Sequence, residues 1–90
     1  MYYVYILCSK KDGKLYIGST PDLKNRIEKH NKGYVMSTKN RRPLFLIYYE
    51  SYISPRDAKR REVFLKGGKG QAELKIQLEN TFKGIKYKYI

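Results

Sequence analysis

The chain has one cysteine, Cys8, and one histidine, His30, among its 90 residues. A lone thiol excludes an intramolecular disulfide, and one Cys with one His falls short of the tetrahedral ligand set of a structural zinc site. Acidic residues are also scarce, with 8 Asp and Glu against 20 Lys and Arg. Long apolar runs are missing: YYVYILC and LFLIYY are far shorter than the roughly 20 residues of a membrane-spanning helix. No basic segment followed by a small-residue cleavage site opens the chain, so a cytoplasmic protein is the simplest reading. Without internal repeats or a linker, residues 1–90 read as a single domain with a small core and a short C-terminal tail. What the chain has in excess is positive charge, a formal +12. A surplus of that size on a small domain points to a polyanionic partner, with nucleic acid the default. An anionic membrane surface has the right sign, but the charge is spread along the chain and not gathered on one amphipathic helix.

Two β-forming stretches, YYVYILC and KLYIGST, flank KKDG, whose Asp-Gly is a strong hairpin signal. An even-length loop sets Ser9 opposite Lys14 and Tyr5 opposite Gly18, so Tyr5 and Tyr16 share one face of the sheet. Gly18 leaves room above the Tyr5 ring or lets another group come close. A helix should follow, with Thr20 as N-cap, Pro21 in the first position, Asp22 in the first turn and Gly33 as the stop. Its apolar stripe is Leu23 and Ile27; Arg26 and His30 lie about 60° and 20° to one side of Leu23 and so flank the buried stripe. YVMSTKNRRP reads as a basic loop and LFLIYYESYI as the third strand. Ser54, Pro55 and Asp57 resemble an N-terminal capping signature for a helix through AKRREVFLK. GGKG should break that helix, with QAELKIQLEN as the last one, carrying Leu74 and Leu78 four apart. IKYKYI allows a short edge strand.

Glu62 is the most informative residue, because Ala58, Glu62 and Leu65 fall on one narrow stripe and aim a carboxylate inward among Lys59, Arg60, Arg61 and Lys66. It reads either as a helix-surface partner of Lys66 or as a ligand for Mg²⁺, which is often held by one or two carboxylates plus phosphate oxygens. His30 is either a satisfied, partly buried ring or a proton-handling group. Arg26 is either a solvated charge or a partner for a pair of phosphate oxygens. KGGKG lacks the spacing and the preceding strand of a phosphate-binding loop and reads as helix termination. The basic loop, with Lys39, Arg41 and Arg42, is a candidate for backbone-phosphate contact, as are Lys59, Arg60 and Lys66.

Tyr3-Val4-Tyr5, Tyr16-Ile17-Gly18, Arg26 and His30 four apart, the RRPLFLIYYE strand and Glu62 within DAKRREVFLK together resemble the GIY-YIG nuclease superfamily. The likeness is to its small stand-alone bacterial members, relatives of the nuclease modules of the excision-repair nuclease and of homing endonucleases, and it runs from residue 2 to about 80. It implies an α+β fold, a three-stranded antiparallel sheet flanked by helices. It also implies phosphodiester hydrolysis with one divalent ion, Mg²⁺ or Mn²⁺. Tyr5 would activate water or bear the nucleophile's proton, with His30 assisting; Tyr16 would position water or phosphate; Arg26 would neutralise the scissile phosphate; Glu62 would hold the ion. Tyr3 stands where the motif has its first glycine, and Asn80 and Gln77 are the candidates for the family's late asparagine. The expected enzyme is a structure-selective or weakly specific DNA endonuclease in repair or processing. With no added DNA-reading domain, its specificity would be slight or supplied by a protein partner. The alternatives are an RNA nuclease and a nucleic-acid-binding or ribosome-associated module with an idle site. Glu62 favours catalysis, since a protein that only binds has no electrostatic reason to keep an acid among basic residues.

Overall fold

The computed structural model describes residues 1–85. β1 (Tyr2–Ser9) and β2 (Leu15–Thr20) form the expected hairpin. The turn closes through Ser9 N–H to the Lys14 carbonyl at 3.0 Å and is filled by the Ser9 hydroxyl, which accepts from the amides of Lys11 and Asp12. Tyr5 pairs with Gly18 and Leu7 with Tyr16, so the parity read from the loop holds. β3 (Leu44–Tyr52) pairs antiparallel on the other side of β1, giving the order β2-β1-β3. β1 is therefore central and β2 is an edge.

Helices cover both faces of the sheet, which is why β1 is apolar without alternation. Val4, Ile6 and Cys8 face one core with Ile17, Ala58, Leu65, Leu74 and Phe82; Tyr5 and Leu7 face a smaller one with Leu44, Leu23 and Ile27. The second face belongs to α1 (Leu23–Asn31). Its N-cap is Asp22, whose side chain accepts from Asn25 N–H at 3.2 Å, not Thr20. Thr20 ends β2, and its hydroxyl accepts from Asp22 N–H, so strand pairing takes the residue that local sequence offered to the helix. Gly33, at φ 83°, follows the helix C-cap as expected.

On the opposite face lies α2 (Pro55–Lys66), with Ala58, Glu62 and Leu65 buried as its stripe required. Ser54 holds the N-cap position without a side-chain cap bond, and Asp57 lies 3.8 Å from Arg60, so the capping position was legible and the capping bond is not made. The glycine-rich stretch interrupts the chain only at Gly67: α3 (Gly68–Gln77) begins within it. Gly70 is buried there against α2, and because a β-carbon would overlap the Phe64 carbonyl, only glycine lets α3 fold directly back. A further helix, α4 (Glu79–Ile85), buries Phe82 where a tail was expected. The edge strand suggested for IKYKYI falls, after Ile85 in α4, outside the described residues. Glu50 on β3 is bound by Arg61 through both nitrogens of its fork and by the hydroxyls of Tyr48 and Tyr52, and Arg61 also reaches Glu73, which ties β3, α2 and α3 together.

Candidate active site

Tyr5 is fully buried, and its hydroxyl leans over Gly18 of the outer strand β2. A β-carbon at position 18 would lie 2.6 Å from that hydroxyl and 3.0 Å from Tyr16 Cε2. Glycine is needed here for space. Gly18→Ala should displace the Tyr5 hydroxyl, cost about 1–3 kcal/mol as an overpacked site, and abolish any activity that depends on Tyr5. Chemical denaturation beside a cleavage assay checks this, and wild-type stability in the variant would refute the close approach.

The hydroxyl is 2.8 Å from His30 Nε2, and His30 Nδ1 is 2.7 Å from the buried hydroxyl of Thr38. Arg26 Nε–H donates to the Tyr5 oxygen at 3.4 Å. Tyr16 packs edge-to-face on His30, with ring centroids 4.9 Å apart. The helical spacing of Arg26 and His30 thus brings a cation and an imidazole to one phenol. Burial pushes Tyr5 up to about 12, offset in part by the hydrogen bond from Arg26. Burial, and then the charge of Arg26, hold His30 down at about 4. At neutral pH the proton therefore rests on Tyr5, which donates to a neutral His30, while Nδ1–H donates to Thr38. Arg26, in turn, is raised above its ordinary value chiefly by its bond to Tyr5.

The same burial predicts acid sensitivity. In the unfolded chain His30 charges below its ordinary 6.5, whereas in the fold it stays neutral to about 4. Its contribution is complete above pH 6.5 and is lost as the pH falls through that window, because the unfolded state then binds more protons. Unfolding free energy should drop by on the order of 2 kcal/mol between pH 7 and pH 5. In His30→Gln that slope should largely vanish; an identical slope in the variant would assign it to other groups.

Glu62 approaches from the other side of β2. Its side chain is 7% exposed, and Oε1 accepts from Ser19 Oγ at 2.6 Å and from Lys59 at 3.2 Å, while Oε2 accepts from Lys66 at 2.7 Å. Burial pushes its pKa up, and the bonds from Lys66, Ser19 and Lys59 outweigh that, leaving it below the ordinary carboxylate value. Ser19 follows Gly18, so phenol and carboxylate meet the two faces of the same two residues of an edge strand. Glu62 is among the groups whose charge acts on Tyr5. Most of the other acids are engaged elsewhere: Asp12 with Arg41, Asp22 in its cap, Glu50 and Glu73 with Arg61, Asp57 near Arg60 and Glu79 near Lys83, while Glu28 is exposed on α1. Among the described residues no group of three or more His, Cys, Asp or Glu side chains could hold a metal. The donor set at Glu62 fits a hard ion bound through one carboxylate, with water and phosphate oxygens completing its shell. Positive groups already stand at both carboxylate oxygens.

The other basic residues separate into two regions. Lys59 and Lys66 border Glu62, and Arg60 is exposed on the same helix. Arg41 braces the hairpin, paired with Asp12 at 2.8 Å and reaching the Leu15 carbonyl, at the far end of β2 from Ser19. Arg42 donates to the Lys39 carbonyl and lies against Gly33, and with Lys39 it lines an open depression at that end. Gln77 donates to the Tyr48 hydroxyl, and Asn80 is exposed on α4. Two site residues escaped the sequence reading, Thr38 and Ser19. Strand parity could have exposed Ser19, since it must face away from Gly18; no local signal marks Thr38.

A phenol with its imidazole and guanidinium partners on one face, and a carboxylate on the other, meet at Gly18 and Ser19 of β2, the outer strand of the described sheet, an arrangement in keeping with a nuclease-type domain. Residues 1–84 match the family model described as the GIY-YIG catalytic domain, and the chain belongs to that family. Its relatives include UPF0213 proteins of Staphylococcus aureus, those of strains Mu3 and USA300 each being 42% identical over 77 residues, covering 83% of this chain and 92% of theirs. The solution NMR structure of a UPF0213 protein from Bacillus halodurans is 36% identical, superposes with a TM-score of 0.51 and covers 82% of each chain.

Proposed function

We propose that this domain is a divalent-metal-dependent endonuclease that hydrolyses phosphodiester bonds in DNA with structural or weak sequence preference, in repair or processing. The observation that carries the reading is the Tyr5 hydroxyl, shared between Arg26 and His30 and approached closely only because residue 18 is glycine. As water attacks phosphorus, Tyr5 takes its proton and passes its own to His30 Nε2. Arg26 holds the phosphate and lowers the cost of negative charge on the phenol oxygen. Tyr16 braces His30 and lines the approach. Thr38 fixes the ring so that Nε2 remains the acceptor. The bond to the attacking oxygen forms as the bond to the leaving oxygen breaks; that oxygen takes a proton from solvent to leave as an alcohol, and His30 returns its proton to solvent. A divalent ion, Mg²⁺ or Mn²⁺, held by Glu62 would supply Lewis-acid stabilisation of phosphate oxygen charge. Lys39, Arg42, Lys59, Arg60 and Lys66 contribute sequence-independent phosphate contacts, whereas Arg41 contributes mainly through the hairpin it braces.

A cytoplasmic setting and a partner that supplies specificity belong to this reading. Among the described residues no helix is long and apolar enough to cross a membrane. The deciding experiment incubates the pure protein with labelled duplex, flap, branched and single-stranded DNA and RNA, with and without Mg²⁺ or Mn²⁺. Metal-dependent cutting of DNA supports the proposal. Cutting confined to RNA moves the substrate class, and binding without cutting in every arm makes the domain a binding module.

A further inference from the structure

The lysines around Glu62 differ in kind from its other partner. Ser19 offers a short hydroxyl on the β2 backbone, a fixed donor. Lys59 and Lys66, three residues before and four after Glu62, reach it from the helix turns on either side. Their side chains are 68% and 52% exposed, against 7% for Glu62. Such ammonium groups, on flexible four-carbon stems, exchange readily between a carboxylate and solvent. Glu50 shows the contrasting design: a planar Arg61 fork and two tyrosine hydroxyls hold it in a half-buried lock that ties three elements together.

We propose that Lys59 and Lys66 are an exchangeable counter-cation for Glu62: they hold the carboxylate when no divalent ion is bound, give way when one binds, and pass to the phosphates of nucleic acid at the β2 edge. This rests on the reading of Glu62 as the metal-holding carboxylate. One carboxylate and two ammonium groups carry +1, and capture of a divalent ion raises the cluster to +3. That excess is relieved by a polyanion at the same edge. Without nucleic acid the ion must displace both lysines and binds weakly. With nucleic acid the lysines have another partner, so metal and nucleic acid favour one another's binding, reciprocally.

The test follows Mn²⁺ binding by the broadening of the Ser19 and Glu62 amide NMR signals, which needs no turnover. Lys59→Met/Lys66→Met should bind Mn²⁺ about five- to tenfold tighter than wild type, as expected for loss of two exposed ion pairs and their repulsion of the ion. Lys11→Met/Lys75→Met, which removes equal charge elsewhere, should shift it less than about twofold because solvent and salt screen distant charges. In a Tyr5→Phe background, a short DNA duplex should tighten Mn²⁺ binding by a larger factor when both lysines are present. Equal tightening in the two double variants would mean only bulk repulsion and overturn the proposal. So would unchanged affinity in Lys59→Met/Lys66→Met, or a DNA effect independent of the lysines, while loss of binding in Glu62→Gln leaves the ligand reading standing. If Glu62→Gln binds Mn²⁺ like wild type, the ligand reading itself fails.

Discussion

Glu62→Gln is expected to bind nucleic acid and leave it uncut. The substitution keeps side-chain shape, and the amide oxygen can still accept from Ser19 Oγ, so the stripe of Ala58, Glu62 and Leu65 stays packed. It removes the charge that Lys59 and Lys66 meet at 3.2 and 2.7 Å. Both lysines are largely exposed and return to water, so stability should fall by no more than about 1 kcal/mol. Cleavage should be lost altogether, because among the described residues no cluster of three or more His, Cys, Asp or Glu side chains stands by to hold the ion in its place. Metal-free affinity for nucleic acid should be kept or increased, since one negative charge near the phosphates is gone and two ammonium groups are released. Cleavage kinetics and fluorescence anisotropy on one preparation separate these effects. A Glu62→Gln protein that cuts at the wild-type rate would sink the assignment of Glu62 and most of the mechanism with it.

Tyr5→Phe should slow cleavage about 10²- to 10⁴-fold, the usual worth of a positioned proton-transfer group, while the fold survives. The ring fills the small core beneath α1, and phenylalanine fills it equally. The hydroxyl is the only part lost, and its loss leaves His30 Nε2 without its donor and takes from Arg26 one of its two tyrosine partners, Tyr16 remaining. The stability cost should be about 1–3 kcal/mol, the scale of leaving one buried acceptor unsatisfied. His30, relieved of that bond and still buried, should remain neutral at pH 7. Single-turnover rates with thermal unfolding as control test this. Undiminished cleavage would make Tyr5 a core residue alone, and a variant that fails to fold would show that the buried Tyr5–His30–Thr38 chain is chiefly structural.

Much of this was legible in the chain itself, for one reason: local periodicity fixes which side chains share a face. A strand period of two and an even loop placed Tyr5 opposite Gly18 and beside Tyr16. The helical period put Arg26 and His30 on the flank of a buried stripe and turned Glu62 inward between Ala58 and Leu65. Helix ends were read less well, because tertiary partners compete for them. Thr20 went to the strand pairing, and the glycines at 68 and 70 joined α3 because Gly70 permits close contact with the Phe64 carbonyl, a fact about two segments and not one. Tertiary structure alone decided which partner each functional group meets. The Tyr5–His30 bond spans 25 residues and the Ser19–Glu62 bond 43, beyond the reach of any periodic pattern. Only folding made Arg41 a brace of the hairpin and left Lys59 and Lys66 exposed beside Glu62, since burial and pairing are settled when distant elements pack, after the sequence has fixed which way each side chain points.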